Sequence, residues 1–183
     1  MRILQIMAGA GRGGAETYFV HLVAALQNAG FDQKVVIRAE AARAAALKSA
    51  GIAPVELRFG GLFDFTTGPA LKRILADFQP QVALTWMGRA SHLLPSGPYR
   101  HIGRLGGYYD LKFFRRCHHL VCNTQDLVRY CTDAGWPAMR VHYVPNFARF
   151  QPAAPEPRAR WQTPEGQPLL LALGRLQDRK SVV

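Results

Sequence analysis

From Arg2 to Val144, short apolar runs alternate with stretches of helical periodicity, and that alternation admits few folds. A strand that continues through a helix into another strand returns parallel to the first, so such a chain builds a parallel sheet with helices on both faces. The strand-like runs are "RILQIM", "KVVIR", "PVELRF", "VALTW", "HIGRL", "HLVCN" and "VHYV". Helices are predicted from about Gly14 to Asn28 before Gly30, through "AEAARAAALKSA" to Gly51, over Pro69 to Phe78, and after Thr124 as far as Gly135. In the third of these Leu71, Ile74, Leu75 and Phe78 recur at i, i+3, i+4 and i+7, an apolar stripe aimed at a sheet, and Pro69 suits a first helical turn. Asn123 or Thr124 is the expected cap of the last one. The expected class is therefore α/β, a parallel sheet with helices on both faces.

At 49% apolar residues, a chain of 183 can bury one good core with some length to spare. That surplus begins at Gln151, where "QPAAPEPRARWQTPEGQP" is proline-rich and aperiodic and reads as a linker. Strand character resumes in "LLLALGRL", an orphan run expected to pair with a neighbour and so to favour a homodimer. The formal charge of +11 favours anions without choosing among nucleotides, acidic lipids and nucleic acid. No recognition helix or stacking platform supports the last of these. Cys117, Cys122 and Cys131 form no CxxC pair, and no secretory leader or spanning run is visible, which together suggest reduced thiols in the cytoplasm. Cys117, His118, His119 and Cys122 include metal-ligand types, but neighbouring histidines in one apolar run rarely converge on an ion, so no metal is expected.

Between the first strand and first helix lies "AGAGRGGAET", Ala8 to Thr17. Gly9, Gly11 and Gly14 spell G-x-G-x-x-G, and a glycine turn opening a helix brings backbone amides and the positive helix end to an anion. A dinucleotide site asks in addition for a small residue where Tyr18 stands and for an acid where the second strand ends in Arg38. Arg38 leaves NADP as an alternative, and a purely structural turn is another.

The later part of that stretch, Gly13, Gly14 and Glu16 in "GGAE", carries a different likeness when joined to two further motifs. One is "HLVCNTQDLVRYCTDAGWPAMRVHYVPNF", a strand, a Ser/Thr-initiated helix, a glycine turn and a strand closing in Pro145-Asn146. The other is "GRLQDRK", Gly174 to Lys180. Together they resemble the family 4 glycosyltransferases of the GT-B fold. The resemblance implies a Rossmann-like N-terminal acceptor-binding domain over 1–150, a linker over 151–167 and the start of a donor-binding domain over 168–183. It also implies a retaining transfer from a nucleotide sugar, which is a substrate, with no cofactor, to a glycolipid or envelope polysaccharide. Gly13, Gly14, Glu16 and Asn146 would then face the donor phosphate or acceptor, and Arg175 and Lys180 would hold the diphosphate.

The sequence departs from the family at two places. Leu105 stands where members commonly carry a cleft histidine, so Arg104, Tyr108 and Asp110 become the expected catalytic residues, with Gly106 and Gly107 admitting substrate to the backbone. No glutamate follows Glu165, whereas the family's donor-sugar site includes a pair of them, and "SVV" follows Lys180 where a small residue is usual. The expectation is an enzyme whose N-terminal piece alone is inactive. The basic and aromatic "LKFFRRCHHL" and "FGGLFDFTTGPALKR" suit a peripheral contact with an anionic inner leaflet, and a non-catalytic basic membrane-surface module is the remaining alternative.

Overall fold

A computed structural model describes residues 1–9, 13–60, 64–147, 153–164 and 166–170. Each apolar run in Met1–Ala148 becomes a strand: β1 (Arg2–Met7), β2 (Asp32–Arg38), β3 (Val55–Leu57), β4 (Val82–Trp86), β5 (Arg100–Leu105), β6 (His119–Cys122) and β7 (Val141–Tyr143). All pair in parallel in one sheet of order β3-β2-β1-β4-β5-β6-β7. The helices are α1 (Gly14–Asn28), α2 (Ala41–Ser49), α3 (Thr67–Phe78), α4 (Met87–Leu93) and α5 (Gln125–Asp133).

The strand period of two sorts the core onto two faces. Leu4, Ile6 and Val36 pack on one side with Leu71, Ala90 and Leu94 from α3 and α4. Met7, Val35 and Ile37 pack on the other with Phe19, Val23 and Leu47 from α1 and α2. The apolar stripe of α3 behaves as its spacing predicts, with Leu71 buried and Ile74, Leu75 and Phe78 against the same cluster. A third cluster joins Leu105, Leu120 and Cys122 to Leu127 and Cys131 of α5. Buried Gln5 is satisfied: its Nε2 donates to Gln33 Oε1 at 2.7 Å and its Oε1 accepts from Trp86 Nε1 at 3.3 Å.

Two expectations need correction, and one helix stands where none is predicted. The third strand is shorter than "PVELRF": it pairs only with β2, over Val55–Leu57, and Phe59 at φ 42 turns the backbone out of extended geometry. The second helix is Ala41–Ser49, starting later than "AEAARAAALKSA" because Glu40 is its cap, accepting from the amides of Ala42 at 3.1 Å and Arg43 at 2.8 Å. Helix α4, in "MGRASHL", carries no periodic signal of useful length and was not foreseen. Contacts divide the chain into Met1–Ala148 and Arg149–Val183. Within the second unit the described structure is a single 3-10 turn, Arg158–Trp161, with Arg160 ion-paired to Glu156 at 2.7 Å. The run beginning "LLLAL" lies mostly outside the described residues.

Candidate functional site

Strand β1 has β2 on one side and β4 on the other, so successive crossovers leave it in opposite directions and a crevice opens at the carboxyl ends of β1 and β4. Trp86 ends β4 in register with Met7 and is 2% exposed. Met87 then turns sharply at φ 66, an uncommon conformation for a residue with a Cβ, and starts α4 directly. On the other side of the crevice α1 begins at Gly14. Helices α2, α3 and α5 have first-turn amides occupied by the side chains of Glu40, Asp64 and Thr124. The cap of α1 is Gly13, which offers no side chain, so the positive end of a fifteen-residue helix faces the crevice without one.

Into this place β5 delivers Arg104. Its guanidinium is 5% exposed and lies 4.6 Å from the ring centre of Tyr18 and 5.2 Å from that of Trp86. Nη2 donates to Asn146 Oδ1 at 2.6 Å and to the Val144 carbonyl at 3.3 Å. Burial lowers its pKa, with the Tyr18 hydroxyl and Cys122 thiol opposing that shift. Among the described residues no ion pair reaches it. A desolvated cation held by neutral acceptors and aromatic faces is poised for an anion that brings the missing charge. The pocket around it encloses about 200 Å³, lined by Gly14, Ala15 and Tyr18 of α1, by Trp86 and Met87, and by Gly106 and Asn123. Asn123 Oδ1 is buried and has no hydrogen-bond partner among the described residues, an acceptor open to a ligand donor. The sequence marked Asn123 only as an alternative cap; Thr124 takes that role, its Oγ1 accepting from Leu127 N at 3.1 Å.

Of the expected site residues, Arg104, Gly14, Gly106 and Asn146 meet in this pocket. Gly13 adjoins it, with the Glu16 carboxylate lying where a Cβ on Gly13 would stand. Glu16 folds back over the turn, so that a Cβ on Gly9 would also come within 2.7 Å of it. Its side chain also borders the groove between α1 and α2. Arg43, 4% exposed, ties the same turn from α2, its Nη1 donating to the Gly9 carbonyl at 2.9 Å. Gly107 does not border the Arg104 pocket, and two of the three expected catalytic residues stand apart from it. Tyr108 is 66% exposed, hydrogen-bonded through its hydroxyl to Asp126 and set edge-on to Tyr130. Asp110 caps the 3-10 turn Leu111–Phe114, accepting from Lys112 N at 3.0 Å, and pairs with Lys112 Nζ at 2.6 Å, contacts that lower its pKa. Gly11, Arg175 and Lys180 lie outside the described residues.

Tyr18 fills the place of the small residue that a dinucleotide turn requires, packed between Trp86 and Phe147 and under Arg104. Its ring is a wall of the pocket, and a Rossmann dinucleotide geometry is not what α1 presents.

The sequence and the fold both have relatives. The family model described as Glycosyltransferase Family 4 matches residues 12–149. The lipopolysaccharide core biosynthesis glycosyltransferase LpsD of Rhizobium meliloti (strain 1021) is 33% identical over 98% of this chain and 53% of its own length. The chain spans about half the length of the curated relatives it matches. Among solved structures, a glycosyltransferase from Rickettsia africae superposes with a TM-score of 0.67 at 12% identity, covering 79% of this chain and 42% of that one. Anabaena HepE, solved in complex with UDP, superposes with a TM-score of 0.64 at 14% identity, covering 80% and 44%. A parallel Rossmann-like sheet, an uncapped glycine-turn helix at its switch point and a family match over three quarters of the residues agree: the chain belongs to glycosyltransferase family 4.

Proposed function

We propose that this chain is the acceptor-binding N-terminal domain of a retaining glycosyltransferase that uses a nucleotide sugar and acts on a glycolipid or saccharide of the cell envelope. The observation that carries the proposal is buried Arg104, a cation without a carboxylate partner among the described residues, beside the open end of α1. When the bond between the anomeric carbon and the diphosphate breaks, negative charge collects on the leaving oxygen, and a preorganised cation and helix end stabilise it there. Asn146 orients the guanidinium, and the Asn123 amide oxygen accepts from a sugar hydroxyl. UDP bound to Anabaena HepE supports a nucleotide donor, and the Rhizobium relative's role in lipopolysaccharide core biosynthesis supports an envelope acceptor. The proposed layout is 1–150 for this domain, 151–167 for a linker and 168–183 for the beginning of the donor domain, whose Arg175 and Lys180 would add two cations to the diphosphate site.

Arg104→Ala tests the proposal. UDP affinity of the chain, followed by calorimetry, is expected to fall at least about tenfold, and kcat of the full-length parent by about 10²–10³. Unchanged UDP affinity and unchanged turnover would remove Arg104 from the site.

The expected peripheral membrane contact is compatible with the exposed cations Arg115 and Arg116. Among the described residues no helix is long and apolar enough to cross a bilayer.

A further inference from the structure

A second cavity adjoins the Arg104 pocket and shares Met87 with it. It is a trough of about 600 Å³ between α4 and the turn Leu111–Phe114, within the range of roughly 300–1,000 Å³ usual for small-molecule sites. Its floor is apolar and aromatic, made by Met87, Leu93, Tyr109 and Phe113. Gly88 permits this, because a Cβ there would come within 3.1 Å of the Phe113 ring, and His92 stands edge-on to that ring at 5.6 Å. Its rim is cationic. Arg89 is exposed but not loose: Nη1 donates to the carbonyl of buried Phe59 at 3.1 Å, leaving its remaining donors to the trough. Arg116 reaches the rim from outside, Nη1 donating to the His92 carbonyl at 3.5 Å. The negative charge at the trough, Asp110, is matched by Lys112 at 2.6 Å. The surplus is positive.

An aromatic floor suits the C–H face of a sugar ring, and an anchored guanidinium with free donors suits a carboxylate or phosphate. We propose that the trough is a subsite for an acidic sugar, a pyranose that lies on Phe113 and Tyr109 and places its anionic group at Arg89. The proposal rests on the glycosyltransferase reading and deepens it. It assigns the trough to an anionic unit of the acceptor, which through the shared wall at Met87 sits next to the Arg104 pocket.

The test compares glucose, glucuronate and glucose 6-phosphate at one ionic strength, binding to the 183-residue chain followed by NMR titration. At least one anionic sugar is expected to bind about tenfold more tightly than glucose, and the stronger of the two identifies carboxylate or phosphate as the group recognised. Arg89→Gln and Phe113→Ala should each cut that binding at least about fivefold. Arg73→Gln, which removes the same charge from the exposed face of α3, should leave it within about twofold. Equal affinity for all three sugars overturns the proposal, and so does an Arg73→Gln loss as large as that of Arg89→Gln, because net charge alone would then explain the preference. UDP separates the two levels. A chain that binds UDP but ignores the acidic group loses the subsite and keeps the proposed nucleotide role of the Arg104 pocket, whereas acidic-sugar binding without UDP binding keeps the subsite and removes that role.

Discussion

Buried polar side chains divide into those that are satisfied within the fold and those that await something. His101 belongs to the first kind. It is 3% exposed, with Nε2 at 2.8 Å from Thr85 Oγ1, which lies 2.8 Å from Ser91 Oγ. Burial, opposed by a hydrogen bond to the Arg116 backbone and reinforced by the charges of His118 and Arg116, pushes its pKa down to about 4. The folded value lies below the ordinary one near 6.5, so the stability that neutral His101 confers is complete above about pH 6.5. It is lost as the pH falls from there toward 4, by up to about 3 kcal/mol. Urea unfolding of the chain at several pH values should show this loss, and His101→Gln should show less of it; equal losses in both proteins would mean that another group titrates. The Asn123 amide oxygen, without a partner among the described residues, belongs to the second kind; Arg104 is hydrogen-bonded but has no ion pair among them, and neither state is legible in the sequence. "HIGRL" and "HLVCN" reveal two strand ends, but not that the last residues of one meet Asn146 forty-two positions further on.

At the scale of the element, side-chain capping divides the helices: α2, α3 and α5 have first-turn amides held by side chains, whereas α1 and α4 have no side-chain cap. Thr124 holds the first turn of α5, so Thr124→Ala should lower stability by about 1 kcal/mol, Thr124→Ser should restore most of it, and UDP affinity should be unchanged. A thermal melt on each variant measures this; an unaltered melt for Thr124→Ala would mean that α5 frays at that end in any case. Removing the Gly13 turn from α1 has a different meaning, because Gly13 makes no side-chain cap and the acidic residue of that first turn is Glu16. Capped, periodic helices such as α3 and α5 were readable from local residues. Helix α4 was not, since "MGRASHL" is too short for periodicity and begins at Met87 with φ 66, a backbone turn its local sequence does not announce.

At the scale of the molecule, the Arg104 pocket lies within Met1–Ala148, and the chain spans about half the length of the curated relatives it matches. We expect the 183-residue chain to bind UDP yet to show no sugar transfer, whereas the full-length parent transfers; turnover by the short chain, measured by release of UDP from a nucleotide sugar, would refute this. Light scattering on the same sample tests the expected homodimer, and a monomer would refute the pairing of "LLLAL" with a neighbour. With a formal charge of +11, nucleotide affinity should also fall as salt rises, since part of the attraction is long-range.

The sequence by itself determined the alternation of strands and helices, hence the parallel sheet, and the glycine turn that opens α1. Both are short-range properties, set by the side-chain period of two or 3.6 and by which backbone angles a glycine allows. Only the tertiary structure decided the order β3-β2-β1-β4-β5-β6-β7, and with it the position of the crevice. That order placed Arg104, Tyr18 and Asn146 together and carried Tyr108 and Asp110 out of the Arg104 pocket. The physical reason is that strand neighbours are chosen by burial of faces contributed from distant parts of the chain, and a local pattern states how strongly a segment will be buried but not against what.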